Sequence, residues 1–266
     1  MVKCRNLAQG ADNWGAATKG ILRRSGRLIR QGKDRKPKTC TVGRPARVSD
    51  RNGKREDLFL NKPLVKLSIR AENERMILEA AEAVFAEQGF GGATTAAIAT
   101  RAGVPKANLH YYFSTKAALY RAVIERVLTA WLAAASCFDE SDDPREALSR
   151  YIGAKMDLAR TMPLGSQIWA SEIMRGAPVI QDFLETTLAD WVESRGHIVR
   201  RWIGEGKLRP IEPRYLFYMI WATTQHYANA AHEISTLENG RPLDDGKFES
   251  ARRQVIETIV EGLIVR

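Results

Sequence analysis

One stretch constrains this chain more than any other: ATTAAIATRAGVPKANLHYYFSTKAAL, residues 93 to 119. The spacing predicts a first helix over 95 to 102. Gly103 closes it, because glycine enters the left-handed conformation that ends a helix without a steric cost. Pro105 opens a second helix at a position where the missing N–H is no loss, and residues 106 to 112 continue it. Ile98, Val104 and Leu109 can meet in one small core, and the small Ala99 lets the two helices approach closely. The arrangement is a helix-turn-helix over 95 to 114, with a short second helix free to enter a major groove. An ordinary helix pair inside a core is the plain alternative. The outer face argues against it, because Lys106, Asn108, Tyr111, Tyr112 and Lys116 are polar, aromatic and basic.

Charge is unevenly placed along the 266 residues. The net charge is +10 and the isoelectric point about 9.7, which favours a polyanionic partner. Residues 1 to 70 hold 19 Lys and Arg against 5 Asp and Glu, so the remainder is mildly acidic. The basic balance therefore belongs to the leader. Residues 1 to 68, with RLIRQGKDRKPK and GRPARVSDRNGKR as the densest runs, have few apolar residues and no sustained period; they read as a disordered basic extension. Attraction to phosphates, contact with a membrane surface and no role at all remain open for it, as does a translated upstream segment with the true start further in. GRPAR resembles a minor-groove hook over only five residues. Cys4, Cys40 and Cys137 share no disulfide or metal spacing and fit a reducing compartment. No apolar run reaches the length of a membrane span, and the N-terminus lacks a hydrophobic signal core. The expectation is a soluble, cytoplasmic protein.

After the leader the period is helical throughout. A helix is expected from near Ala71, with Ile77, Ala80, Ala81, Val84 and Phe85 on one stripe and Gly89 as its end. Thr94 and Thr95 offer hydroxyls for the next N-cap. Ser114 is expected to cap a long helix to Phe138, with Leu119, Val123, Val127 and Trp131 inside. Asp143 and Pro144 start another, burying Leu148, Tyr151, Ile152 and Met156. Helices follow over 164 to 174, 179 to 204, 213 to 233 and 247 to 264, with a loop over 234 to 246. No strand pattern or internal repeat is found. The expected fold is all-α: a three-helix DNA-binding head within residues 69 to 130, then a larger helical effector-binding and dimerisation domain, 131 to 266.

ILEAAEAVFAEQGFGGATTAAIATRAGVPKANLHYYFSTKAAL, residues 77 to 119, is similar to the DNA-binding head of the TetR family of repressors, with a matching motif at every helix boundary. Two positions depart from it: Pro105 stands where the family often has serine, and Ala117 where glutamate is common. Further on, NLHYYFSTKAALYRAVIERVLTAWLA, RGAPVIQDFL, GKLRPIEP and MIWATTQHYA look like a pyrimidine-responsive branch of the same family, from about residue 71 to 266. The first 68 residues have no counterpart there. The resemblance implies backbone-phosphate contacts at Thr95, Lys106, Tyr112 and Lys116. It also implies a ligand pocket at the matching tryptophans, uracil or thymine as effector, and a four-helix dimer contact through the last two helices.

The residues themselves support two sites. Lys106 joins a cation to a helix N-terminus near phosphates. Asn108 can read a base edge through its amide. Tyr111 and Tyr112 can offer hydroxyls to phosphates while their rings pack, and Phe113 reads as core. One head reads few base pairs, so a homodimer on an inverted repeat is expected. For the effector, Trp131, Trp169 and Trp221 lie on three helices, and Trp221 and Gln225 share a face at i, i+4. A flat heteroaromatic wants an aromatic face and an amide edge, and that pair offers both. Core filling is an equally open role for each of these tryptophans. Trp191 and Trp202 read as packing.

No phosphate-binding glycine loop, His/Cys constellation or nucleophile elbow is present, so enzymatic activity is not expected. His226 and His232 are badly spaced for a metal, and no cofactor beyond the small-molecule effector is implied. A ligand-insensitive DNA-architectural protein, coating duplex with the basic arm, is the alternative function.

Overall fold

The computed structural model describes residues 62 to 265, with side chains from residue 69 onward. Of the leader read as a disordered arm over 1 to 68, residues 1 to 61, GRPAR included, lie outside the described residues, whereas 62 to 68 are helical. The first helix, α1 (Lys62–Gly92), begins at Lys62 rather than near Ala71. Pro63 falls in its first turn, where its missing N–H breaks no bond, and nothing between there and Ala71 interrupts a helix. Gly89 ends the regular part of α1 with φ of 67°.

The head then follows as α2 (Thr95–Arg101) and α3 (Lys106–Tyr112). Next come α4 (Lys116–Ala133), a 3-10 turn at Ala134–Ser136, α5 (Cys137–Glu140) and α6 (Pro144–Thr161). The long helix expected to Phe138 is thus broken by that turn. Its cap is Thr115, not Ser114: the Thr115 hydroxyl accepts from the Ala118 N–H at 3.0 Å. Thr115 has the extended backbone of an N-cap residue, with φ of −136° and ψ of 159°. Asp143 caps α6 by accepting from the Arg145 N–H. Then come α7 (Pro163–Met174), α8 (Gln181–Phe183), a π-helical turn at Leu184–Leu188 and α9 (Ala189–Gly204). The chain closes with α10 (Pro213–Asn229), α11 (Ala231–Leu237) and α12 (Asp245–Leu263). Helix persists to Leu237, so the expected loop over 234 to 246 is shorter. Among the described residues the one extended pairing is an isolated antiparallel bridge, Leu208 to Ile264.

Two hydrophobic cores hold the helices together, and they cut across a simple head-and-body division. The first joins Ile77, Val84, Ile98, Leu109, Leu119 and Val127 of the head to Trp131, Ile168 and Ile180. The second joins Phe138, Leu148, Tyr151, Trp202, Phe217 and Val260. Helices α4 and α7 therefore belong to the core that carries the head, while α6, α10 and α12 belong to the other.

The approach of α7 to α4 needs a glycine. A Cβ on Gly165 would lie 2.5 Å from Val127 Cγ2 and 3.0 Å from Glu82 Oε1. Glu82 of α1 is itself paired with Arg126 of α4 in a mostly buried contact. One turn further along, Trp131 meets Trp169. Gly165→Ala is expected to cost roughly 1–3 kcal/mol, as overpacking of a closed contact does, measurable as a lower midpoint in urea denaturation.

Candidate nucleic-acid interface and effector site

The turn between α2 and α3 is held by backbone bonds. The Ala102 N–H donates to Ile98 O, that of Gly103 to Thr100 O and that of Val104 to Ala99 O, at 2.9, 3.2 and 3.0 Å. Gly103 takes φ of 67°, a conformation that penalises any Cβ. Thr94 caps α2 by accepting from the Ala97 N–H at 3.0 Å, and Thr95 is the first helical residue, half-buried beside it. Pro105 sits one position earlier than expected, as the extended residue before α3; its carbonyl accepts from the N–H groups of Asn108 and Leu109. Ile98, Ala99 and Leu109 are buried under this turn, with Val104 packed against them.

What remains outward on α3 is Lys106, Ala107, Asn108, His110 and Tyr111. Tyr111 is 72% exposed, and the Arg70 guanidinium lies 5.8 Å over its ring. Tyr112 is half-buried, and its hydroxyl accepts from Asn73 Nδ2 at 3.4 Å. Lys116 is placed differently from the other cations. Its ammonium donates to the carbonyls of Phe90 and Ala93, at 2.7 and 3.0 Å, and sits 4.6 Å from the Phe90 ring centroid. It therefore ties the start of α4 to the end of α1 and keeps one of its three N–H groups for another acceptor. Arg70, which was not among the sequence candidates, lies within α1, just before the point near Ala71 where the sequence places the start of that helix.

The four candidate effector residues divide between the two cores. Trp131 and Trp169 meet edge-to-face, with centroids 5.6 Å apart. Trp221 lies in the other core, against Trp191, Phe217 and Tyr218, and donates its N–H to the Tyr151 hydroxyl at 2.8 Å. Gln225 follows one turn later on α10, half-buried. Helix α6 links the two groups: Tyr151 touches Trp221, and Lys155, one turn on, places its ammonium 3.9 Å from the Trp131 ring centroid. Lys155 is 3% exposed. Burial pulls it down from the usual lysine range to about 7, and no carboxylate or acceptor among the described residues offsets that burial. Burial likewise pushes the Tyr151 phenol up. Lys155 was absent from the sequence reading, although it occupies the i+7 position of the stripe Leu148, Tyr151, Ile152. A charge on an apolar stripe was the available signal. Trp191 packs as expected, and Trp202 is fully buried against Phe138.

A seven-residue helix held outward by a glycine turn, on a head that shares its core with a helical body, defines a helix-turn-helix DNA-binding protein. The family description "Bacterial regulatory proteins, tetR family" matches residues 77–123, and "YcdC-like protein, C-terminal region" matches residues 124–266. The chain belongs to the TetR family of bacterial transcriptional regulators, and it is a regulator rather than an enzyme. It is 37% identical over 190 residues to the HTH-type transcriptional regulator RutR of Escherichia coli O157:H7, and likewise to RutR of Shigella flexneri. Those matches span 71% of this chain and 90% of each relative. Among solved structures it is similar to a ketosteroid transcriptional regulator of Mycobacterium tuberculosis, with TM-score 0.59 and 20% identity over 73% of this chain and 95% of that one. A TetR-family regulator from Marinobacter aquaeolei gives TM-score 0.56 and 21% identity over 75% and 100%. At such identities the structural likenesses speak for the fold. No described helix is long and apolar enough to cross a membrane.

Lys116→Met is expected to destabilise the head by about 1–3 kcal/mol, because two partly buried carbonyls lose their donor. Chemical denaturation followed by circular dichroism measures it.

Proposed function

We propose that this regulator is a repressor that grips an inverted-repeat operator as a homodimer and lets go when a small aromatic metabolite of the pyrimidine class, such as uracil or thymine, binds. The observation that carries the DNA half is α3 itself: a short helix whose outward side chains include Lys106, Asn108 and Tyr111, with Thr94 and Thr95 at the start of the neighbouring helix. Lys106 and the two threonines serve phosphates, Asn108 a base edge, and the Tyr111 and Tyr112 hydroxyls reach phosphates beside the cations of Arg70 and Lys116.

The pairing surface is α10 with α12. Along α10, Tyr215, Tyr218, Met219 and Ala222 make an exposed stripe at helical spacing, with Tyr215 68% exposed. An apolar stripe of that kind favours a partner helix, and two such helices per subunit make a four-helix contact. The pyrimidine class follows the resemblance in the sequence and is supported by the tryptophans that flank α6. As a regulator of DNA it works in the cytoplasm.

The seam between the two cores supports a population shift as the mechanism. The head belongs to one core and the pairing helices to the other, so a ligand wedged among Trp131, Trp221 and Gln225 favours a different spacing of the two heads. The architectural alternative differs in one respect: such a protein binds any duplex and ignores ligands.

Lys106→Ala is expected to weaken binding to every duplex and to lower the salt slope by about one, read by fluorescence anisotropy at several salt concentrations; unchanged operator affinity would remove α3 as the reading helix. A screen of nucleobases against the full chain is expected to raise the melting temperature for the effector and to release operator. Sedimentation showing only monomer at micromolar concentration, or operator affinity indifferent to every bound base, would overturn this reading.

A further inference from the structure

Most cations of the head already have partners. Arg75, Arg101, Arg121 and Arg126 are each paired with carboxylates, and Lys116 is spent on two carbonyls. Among the described residues from 69 to 126, that leaves Arg70 and Lys106 as the cations without an ion pair. Lys106 stands on α3, where a role follows from its place. Arg70 belongs to α1. Glu74 lies four residues after it, the spacing of a helical ion pair, yet no pair forms among the described residues. The Arg70 guanidinium lies 5.8 Å from the centroid of the Tyr111 ring of α3 instead.

Two residues of α1 meet two of α3. Arg70 and Asn73 are i, i+3 and share a face of α1. Asn73 Nδ2 donates to the Tyr112 hydroxyl at 3.4 Å, and Arg70 covers Tyr111. The Tyr112 ring stands edge-on to that of Tyr111, with centroids 5.4 Å apart and planes at 90°. Tyr111 is therefore braced on two sides although it is 72% exposed. It also points outward: Leu109 is fully buried, and two residues on, roughly 200° round the helix, Tyr111 faces away from that core. A cation–π contact at an exposed site adds little stability, so the fold is not what the pair serves. A guanidinium held over a ring keeps its N–H donors for other acceptors.

We propose that Arg70 and Tyr111 form one seat for a phosphate of the DNA backbone, the guanidinium and the Tyr111 hydroxyl donating to the same phosphate group. The inference rests on the reading of α3 as the helix that enters the major groove. It goes beyond that reading by giving α1 a contact of its own and by making two residues act as a unit. Hydrogen bonds to an ionised acceptor are the strong kind, and a planar guanidinium can give a phosphate two of them. Lys106 precedes Tyr111 by five residues, about 7.5 Å along α3. That exceeds the roughly 3.4 Å of axis between successive charges on one strand, so the two cations take different phosphates. The head is thereby tied to the backbone towards both ends of its reading helix. Phosphate contacts carry no sequence information; the seat sets the register of α3 and leaves discrimination between bases to Asn108.

The experiment uses the full chain with a duplex that the wild-type protein selects from a random pool, beside a random duplex. Affinity is read by fluorescence anisotropy at several salt concentrations. Arg70→Ala is expected to weaken both duplexes by the same factor, on the order of tenfold, and to lower the salt slope by about one per head. Tyr111→Phe is expected to weaken both by less and to leave the slope unchanged, because it removes a neutral donor. Arg70→Ala is expected to cost less on a Tyr111→Ala background than on the wild type, since contacting residues do not add. The variants are expected to keep the wild-type melting temperature, both side chains being exposed. If Arg70→Ala alters neither affinity nor slope while Lys106→Ala alters both, the seat is wrong and the reading of α3 stands. If the losses at 70 and 111 simply add, Arg70 acts alone and the shared seat is wrong. If Arg70→Ala weakens the selected duplex but not the random one, it reads a base and the phosphate assignment falls. If no duplex is selected, or Lys106→Ala is also without effect, the reading of α3 falls and the seat with it.

Discussion

Helix α7 presents no side chain of its own to α4 at Gly165, and three elements converge on that point. Val127 fills the space a Cβ would need, and Glu82 of α1 reaches the same place while paired with Arg126 of α4. A buried ion pair of this kind contributes little net stability but is costly to break, because each charge would be left alone. It therefore fixes the position of α1 relative to α4 more firmly than it adds to the total. From this contact outward, the head inherits its orientation through α1 and α4, and α7 carries Trp169 to its contact with Trp131. Motion of α7 cannot bypass α4 while the glycine contact is closed.

The head reads DNA with a surface whose shape is set elsewhere. The α2–α3 turn depends on backbone bonds and on Gly103, and its underside on Ile98 and Leu109. Lys116 binds two carbonyls, one in the last turn of α1 and one just after it, so a residue matched by resemblance to a phosphate contact also holds the head closed. The remaining outward cations, Lys106 and Arg70, have no such duty. Separation of these tasks leaves the outward side chains of α3 free of any duty in holding the head closed.

Much of this was legible in the sequence because it is periodic or local. The α1 stripe, the Gly103 stop, the Thr94 cap and the buried side of α4 follow from spacing and cap chemistry alone. The start of α1 at Lys62 was not, since the basic composition of the leader masks a segment that contains no helix breaker. Ser114 and Thr115 are both competent caps, and only backbone geometry chooses Thr115. The tryptophans could not be assigned to one cluster or two from their numbers, because that depends on how α4, α7 and α10 cross. Lys155 was visible as a charge on an apolar stripe, yet such a charge reads as a register error until the neighbouring helices show that it has nowhere else to go.

The contact of Trp131 with Trp169 and Lys155 lies where the two cores meet along α6. Phe138, Leu148 and Trp202 close one beneath it, and Ile77, Ile98 and Leu109 close the other. On the reading proposed above, the half-buried Trp169 and Gln225 are the positions where a lineage can exchange one metabolite for another, while the outward side chains of α3 and the exposed stripe of α10 stay as they are.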